Sequence, residues 1–82
     1  MELAPRVRVN AIAPGLIKTD FAKALWEDGR GEKIAEGYPL KRLGETSDIA
    51  EAAMYLAASA TWMTGEVLLL DGGGRTSYPA LA

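Results

Sequence analysis

The 82 residues carry a formal net charge of −2, are 49% hydrophobic and include neither cysteine nor histidine. That length holds one small domain at most, and such a domain buries only roughly 60–65% of the surface its unfolded chain exposes. Disulfides, His/Cys metal sites and His-based acid–base catalysis are excluded; the mixed charge offers no basic stripe for nucleic acid, and no apolar run approaches a membrane span.

Met1-Glu2 opens the chain without a basic leader or a long apolar core, so the expectation is a cytoplasmic protein with no signal peptide. Leu3-Ala4-Pro5 reads as the end of a helix and a turn, which leads us to expect further chain upstream. Arg6 to Ile12 alternates polar and apolar residues and predicts a β-strand, closed by Pro14-Gly15; the first unit is 3–15. Thr19 or Asp20 can cap a short helix whose Phe21, Ala24 and Leu25 share one face. Gly29 and Gly31 break it, a second piece runs from about Glu32 to Gly37, and Pro39 stops it, so 16–40 is a pair of short helices.

Ile49, Ala52, Ala53, Leu56, Ala57 and Ala60 then follow helical spacing, and 46–60 is an amphipathic helix. Thr46 or Ser47 can satisfy its first backbone donors, and Asp48 and Glu51 favour the positive end of its dipole. Val67 to Leu70 is apolar at every position, which predicts a strand covered on both faces, as in a parallel sheet. With its glycine turn it forms 64–74, and 75–82 is a tail without periodicity, expected to be loosely held. Strand, helices and a buried-type strand in this order predict an α/β fold: a C-terminal fragment of a Rossmann-like, doubly wound parallel sheet, two strands with intervening helices.

Three segments resemble the C-terminal third of short-chain dehydrogenases/reductases. Arg8-Val9-Asn10-Ala11-Ile12-Ala13-Pro14-Gly15-Leu16-Ile17-Lys18-Thr19 is similar to that family's R-V-N-x-I-x-P-G-x-[IV]-x-T. Leu43-Gly44-Glu45-Thr46-Ser47-Asp48-Ile49-Ala50 resembles its R-x-G-x-P-x-[DE]-[IV]-A, with Thr46 where proline is frequent. Met63 to Gly73 resembles its [IV]-T-G-x-x-[IL]-x-[VI]-D-G-G. The stretch Leu16 to Trp26 resembles the peroxisomal-type carbonyl reductase branch.

The resemblance implies an NAD(P)-dependent oxidoreductase of carbonyls and secondary alcohols, NAD or NADP being undecided here. It places Pro14, Gly15, Ile17 and Thr19 at the cofactor: the backbone at Ile17 meets the nicotinamide carboxamide, and the Thr19 hydroxyl approaches the carboxamide or the pyrophosphate. Thr19 as a helix cap and Ile17 as a packing residue are the structural alternatives. Phe21, Leu25 and Trp26 fall in the family's mobile substrate lid, where Gly29 and Gly31 give flexibility or make an ordinary loop. The family also implies a homo-oligomer joined through the final helix and strand.

Two parts of the family's machinery are missing from these 82 residues. No G-x-x-x-G-x-G phosphate loop occurs, and none of Tyr38, Tyr55 and Tyr78 has a lysine four residues on; Arg42, Ser59 and Ala82 stand there. Hydride transfer to a carbonyl needs an acid for the developing alkoxide, and a lysine-tuned tyrosine supplies it in the family. No catalytic residue is assigned, the chain alone is expected to be inactive, and tight binding of a cofactor is not expected. The alternative is a non-catalytic, self-associating structural module. Asn10 is read as tying its strand to neighbouring backbone, Trp62 as packing beside the last strand, and Lys41-Arg42 as solvated surface. Gly72-Gly73-Gly74 is read as a tight turn, because no capped helix follows to hold a phosphate.

Overall fold

Residues 3–75 are described by a computed structural model. The alternating segment forms β1, Ala11–Pro14, and the apolar run forms β2, Val67–Leu70. They pair in parallel, with Ala11 opposite Val67 and Pro14 opposite Leu70. The strand was expected from Arg6 to Ile12, yet it runs on to Pro14. Register explains this. Ala11 and Gly15 turn their N–H groups to β2, donating to Glu66 and Leu70 at 2.9 Å. Even-numbered residues therefore turn their N–H away from β2, and proline at 14 removes no ladder bond. Upstream, Gly65 N–H donates to the Val9 carbonyl at 2.7 Å, so the chains stay joined before the regular strand begins.

Asn10 fastens this entry as its sequence position suggests. Its amide donates to Met63 O at 3.1 Å and accepts from Glu66 N at 3.0 Å. Trp62 does not pack beside the strand; it is fully exposed, because the Thr61–Trp62 turn projects it outward.

Between the strands lie α1 (Lys23–Trp26), α2 (Arg30–Gly37) and α3 (Thr46–Met54), the last continuing into a π-helical turn, Tyr55–Ser59. Glu45 caps α3, not Thr46 or Ser47, which lie inside its first turn. Glu45 has extended backbone (φ −109°, ψ 159°), and its N–H donates to Asp48 Oδ2 at 2.7 Å in a reciprocal capping box. At the other end, Arg8 donates to the carbonyls of Leu56 and Ala60, both at 2.8 Å, and of Ala57 at 3.3 Å. These are the oxygens that a widened terminal turn leaves without helical donors, and a cation there also suits the dipole.

The α3 stripe covers one face of the sheet. Ile12 lines a groove with Ala53, Leu56 and Ala57. The opposite face is bare: Val67 and Leu69 are 59% and 43% exposed while Leu68 and Leu70 are half-buried. The expectation that β2 is covered on both faces is thus met on one face only, because every helix of useful length among the described residues lies elsewhere. The buried apolar side chains are few: Leu43 and Ala60 among the described residues. None of the described helices is long and apolar enough to cross a membrane. The expected loose tail beyond Arg75, and the Tyr78–Ala82 spacing, lie outside the described residues.

Candidate cofactor-facing site

Two parallel strands end side by side at Pro14 and Leu70, and the chain leaves β1 through Gly15. In open α/β sheets the carboxyl ends of strands are where ligands sit. A Cβ at Gly15 would lie 2.9 Å from the Cβ of Asp71 and 3.2 Å from the Tyr38 hydroxyl. Only glycine lets the two strand ends and Tyr38 meet here.

Leu16 to Thr19 is held in place at several points. Leu16 N–H donates to the Tyr38 hydroxyl at 3.1 Å. Ile17 forms an isolated parallel bridge with Gly44, closed by Lys18 N to Gly44 O at 2.9 Å and Gly44 N to Leu16 O at 3.0 Å. The Ile17 carbonyl accepts Thr19 N–H at 2.9 Å. The Ile17 N–H has no partner among the described residues. The Thr19 hydroxyl accepts Ala22 N–H at 3.1 Å in the turn before α1 and still has its own proton to donate; the N-cap position of α1 is Ala22 and has no side-chain cap, so neither Thr19 nor Asp20 caps the helix as expected. One backbone donor and one hydroxyl donor therefore stand two residues apart beyond the strand ends. They fit the carboxamide end of a nicotinamide, whose carbonyl accepts hydrogen bonds. Among the described residues nothing comparable is arranged for a pyrophosphate.

The three lid residues separate. Phe21 is fully exposed and Leu25 is 60% exposed. Trp26 is turned inward: its indole N–H donates to Thr19 O at 2.8 Å, and Lys18 Nζ stands 5.1 Å from the ring centroid. Trp26 fastens the Thr19 segment to α1, while Phe21 and Leu25 present apolar surface to solvent. Gly31 is not a flexible joint. It lies within α2, buried, and a Cβ there would sit 2.8 Å from Trp26 O and 3.0 Å from Leu43 Cδ1. The break between the helices is made by Asp28 and Gly29, both at positive φ (56° and 83°).

Tyr38, Asp71 and the Arg42–Asp48 pair complete the surroundings, and sequence reading assigned none of them a place near the site. Asp71 accepts Gly73 N–H at 3.0 Å and Arg75 N–H at 2.8 Å, closing the expected turn over Gly72-Gly73, but Gly74 and Arg75 then enter a helical turn, contrary to the expectation that no capped helix follows the glycines. That turn closes over Tyr38: a Cβ at Gly74 would sit 2.8 Å from its ring. Arg42 grips Asp48 through two contacts of 2.9 and 3.0 Å. Hydrogen bonds from Arg42 and from the Glu45 backbone hold the Asp48 carboxyl down to about 2. The same partner raises Arg42. A cavity of about 190 Å³ lies under the turn between Leu16, Ile17, Tyr38 and Leu70. Small-molecule pockets run from about 300 Å³ upward, so it is too small for a dinucleotide.

Comparison with known proteins is consistent with this geometry. Residues 1–75 match the family described as Enoyl-(Acyl carrier protein) reductase. The chain is 45% identical over 76 residues to "Dehydrogenase/reductase SDR family member 4" of Sus scrofa, covering 89% of this chain and 27% of that protein. A "Short-chain dehydrogenase/reductase SDR:Glucose/ribitol dehydrogenase" from Brucella melitensis superposes with a TM-score of 0.81 at 40% identity, over 88% of this chain and 29% of that one. A small-chain dehydrogenase solved in complex with NADPH superposes at 0.76 with 43% identity, over 89% of this chain and 34% of that one. The chain thus spans little more than a quarter of the curated relative's length.

Proposed function

The chain belongs to the short-chain dehydrogenase/reductase family, and on that premise we propose that it supplies the nicotinamide-end and substrate-lid portion of an NAD(P)-dependent oxidoreductase acting on a carbonyl or secondary alcohol. The reading is carried by the free Ile17 N–H and the Thr19 hydroxyl beyond the carboxyl ends of two parallel strands. An NADPH-bound relative of the same fold supports the cofactor class. Ile17 and Thr19 would hold the carboxamide, Gly15 lets the backbone approach closely, and Phe21 and Leu25 would cover the substrate. The bound nicotinamide supplies or accepts the hydride. The acid for the alkoxide and the cradle for the pyrophosphate come from outside these 82 residues, so the chain by itself binds the dinucleotide weakly and does not turn it over.

An NMR titration with reduced nicotinamide mononucleotide and with NADPH tests the reading. Shifts confined to Gly15–Thr19, equal for both ligands and saturating only above the micromolar range, are expected. A micromolar dissociation constant for NADPH, or shifts centred elsewhere, would contradict it. Steady-state NADPH oxidation with a panel of ketones and quinones is expected to show none.

The same reading includes self-association through the outer side of α3 and the outer edge of β2. Met54 and Tyr55 are 67% and 48% exposed there, off the stripe that covers the sheet. A two-fold contact would be self-complementary. Sedimentation equilibrium at tens of micromolar should return a dimer or tetramer; a cooperatively folded monomer would rule this out.

A further inference from the structure

We propose that Tyr38 is the positioning residue of the Leu16–Thr19 segment: its hydroxyl sets the direction in which the Ile17 N–H is presented. That this direction serves a nicotinamide rests on the reading above; that Tyr38 fixes it does not.

The backbone bonds of the segment leave one gap, and Tyr38 fills it. Gly15 N–H donates to Leu70 O at 2.9 Å as the last rung of the ladder, and Lys18 N–H donates to Gly44 O at 2.9 Å. Leu16 N–H, between them, donates to the half-buried Tyr38 hydroxyl at 3.1 Å. On the other side of the same residue, Leu16 O accepts Gly44 N–H at 3.0 Å. The Leu16 carbonyl and the Ile17 N–H belong to one planar trans peptide, so they point in opposite directions. Gly44 therefore aims the peptide that carries the Ile17 N–H, and Tyr38 holds the peptide before it. Without the phenol, rotation about the Leu16 backbone is restrained at one end only.

The phenol can act in this way because its ring is clamped. Gly72 and Gly73 have positive φ (62° and 85°), and Leu40 N–H donates to Gly72 O at 3.0 Å. A Cβ would sit 3.2 Å from Tyr38 Cδ2 at Gly72, 2.8 Å from Pro39 Cγ at Gly73 and 2.8 Å from Tyr38 Cε1 at Gly74. The three glycines wrap the Tyr38-Pro39 corner closely, which leaves the hydroxyl little freedom to wander. Phenylalanine would keep this ring packing and lose the acceptor, so the two contributions separate by experiment.

Amide exchange and an NMR titration with reduced nicotinamide mononucleotide, on the wild-type chain, Tyr38→Phe and Ala53→Gly, make the test. Ala53→Gly weakens α3, away from the segment, and controls for lost stability. In the wild type, Leu16 should exchange at least tenfold more slowly than Ile17. Tyr38→Phe should abolish that difference and shift the Ile17 and Thr19 amides, and its affinity for the mononucleotide should fall at least fivefold. Ala53→Gly should leave the affinity within twofold. Leu16 exchanging as fast as Ile17 in the wild type would overturn the proposal, even where Tyr38→Phe does not fold. So would an affinity that Tyr38→Phe leaves within twofold, or one that both variants lower alike. A Leu16 amide that only Tyr38→Phe exposes, in a wild-type chain whose Gly15–Thr19 resonances ignore the mononucleotide, supports the role of Tyr38 and overturns the functional reading instead.

Discussion

Arg42 meets Asp48 through two nearly equal N–H···O contacts, 2.9 and 3.0 Å, six residues apart across the start of α3. The same carboxylate accepts the Glu45 N–H, so one side chain both closes the capping box and anchors the preceding loop. That loop carries Gly44, the residue bridged to Ile17. The ion pair thereby connects the helix start to the Leu16–Thr19 segment proposed to face the cofactor.

Its pH dependence follows from the direction of the shift. The Asp48 carboxyl falls from its ordinary 3.8 to about 2 in the folded chain. A lowered value means stability that is present above the unfolded value and is lost as pH falls through the folded one. Thermal melts of wild type and Asp48→Asn should therefore differ near pH 6, the variant melting lower, and converge between pH 4 and 2. Arg42 is exposed and Asp48 only half-buried, so added salt should shrink the difference. A gap that persists unchanged at pH 2 would show that the carboxylate is not its source.

Gly15→Ala should destabilise the chain and disturb the site together. The added methyl enters at 2.9 Å from Asp71 Cβ, with backbone at 3.0 Å behind it, so neither neighbour yields easily. Overpacking of this kind costs about 1–3 kcal/mol. Urea unfolding should show a lower midpoint, and the Tyr38 ring resonances should move because the hydroxyl stands 3.2 Å from the same point. An unchanged midpoint would mean that the strand ends separate freely.

Gly29 and Gly31 give a paired prediction. A Cβ at Gly29 meets nothing within 4 Å, so Gly29→Ala pays only for its left-handed backbone, about 1 kcal/mol. Gly31→Ala pushes on Trp26 and Leu43, the latter one of the few buried side chains. It should be the more damaging of the two, and in a Trp62→Phe background it should shift Trp26 emission to the red. Equal losses from the two substitutions would contradict the packing role assigned to Gly31.

How far these features were legible depends on how local their causes are. The α3 stripe follows from spacing within a few residues, whereas the parallel pairing and the bonds of Asn10 to Met63 O and Glu66 N join segments more than fifty residues apart and were expected only from the type of each strand. The strand end at Pro14 was hidden because it depends on which N–H groups face β2, a matter of register with a segment more than fifty residues away. Glu45 was passed over as a cap because Thr46 and Ser47 are intrinsically better; the reciprocal bond to Asp48, itself fixed by Arg42, decides it. Gly31 looked like a hinge because glycine spacing carries no information about Leu43. Tyr38 and Asp71 come to the site only through folding, and no local pattern marks them.

Hydrogen exchange provides the last prediction, because the sheet and the lid assign different protection to adjacent amides. Along β1, Ala11 and Gly15 donate to β2 and Ile12 does not, so Ile12 should exchange at least tenfold faster than its neighbours Ala11 and Ala13. In the segment from Leu16 to Pro39 protection should be uneven. Lys18 N–H is held by Gly44 O at 2.9 Å beside half-buried Trp26, and should be slow. Lys23 and Arg30 sit in short turns with contacts of 3.2 Å on exposed backbone, and should be fast. Motion of the proposed lid on the exchange timescale would then be confined to 21–25 and 27–29, on either side of the Trp26 anchor to Thr19. Uniformly fast exchange from Leu16 to Pro39 would mean that the Gly44 bridge and the Trp26 contact do not persist in solution. Uniformly slow exchange would mean that the apolar surface of Phe21 and Leu25 is covered, contrary to its exposure here.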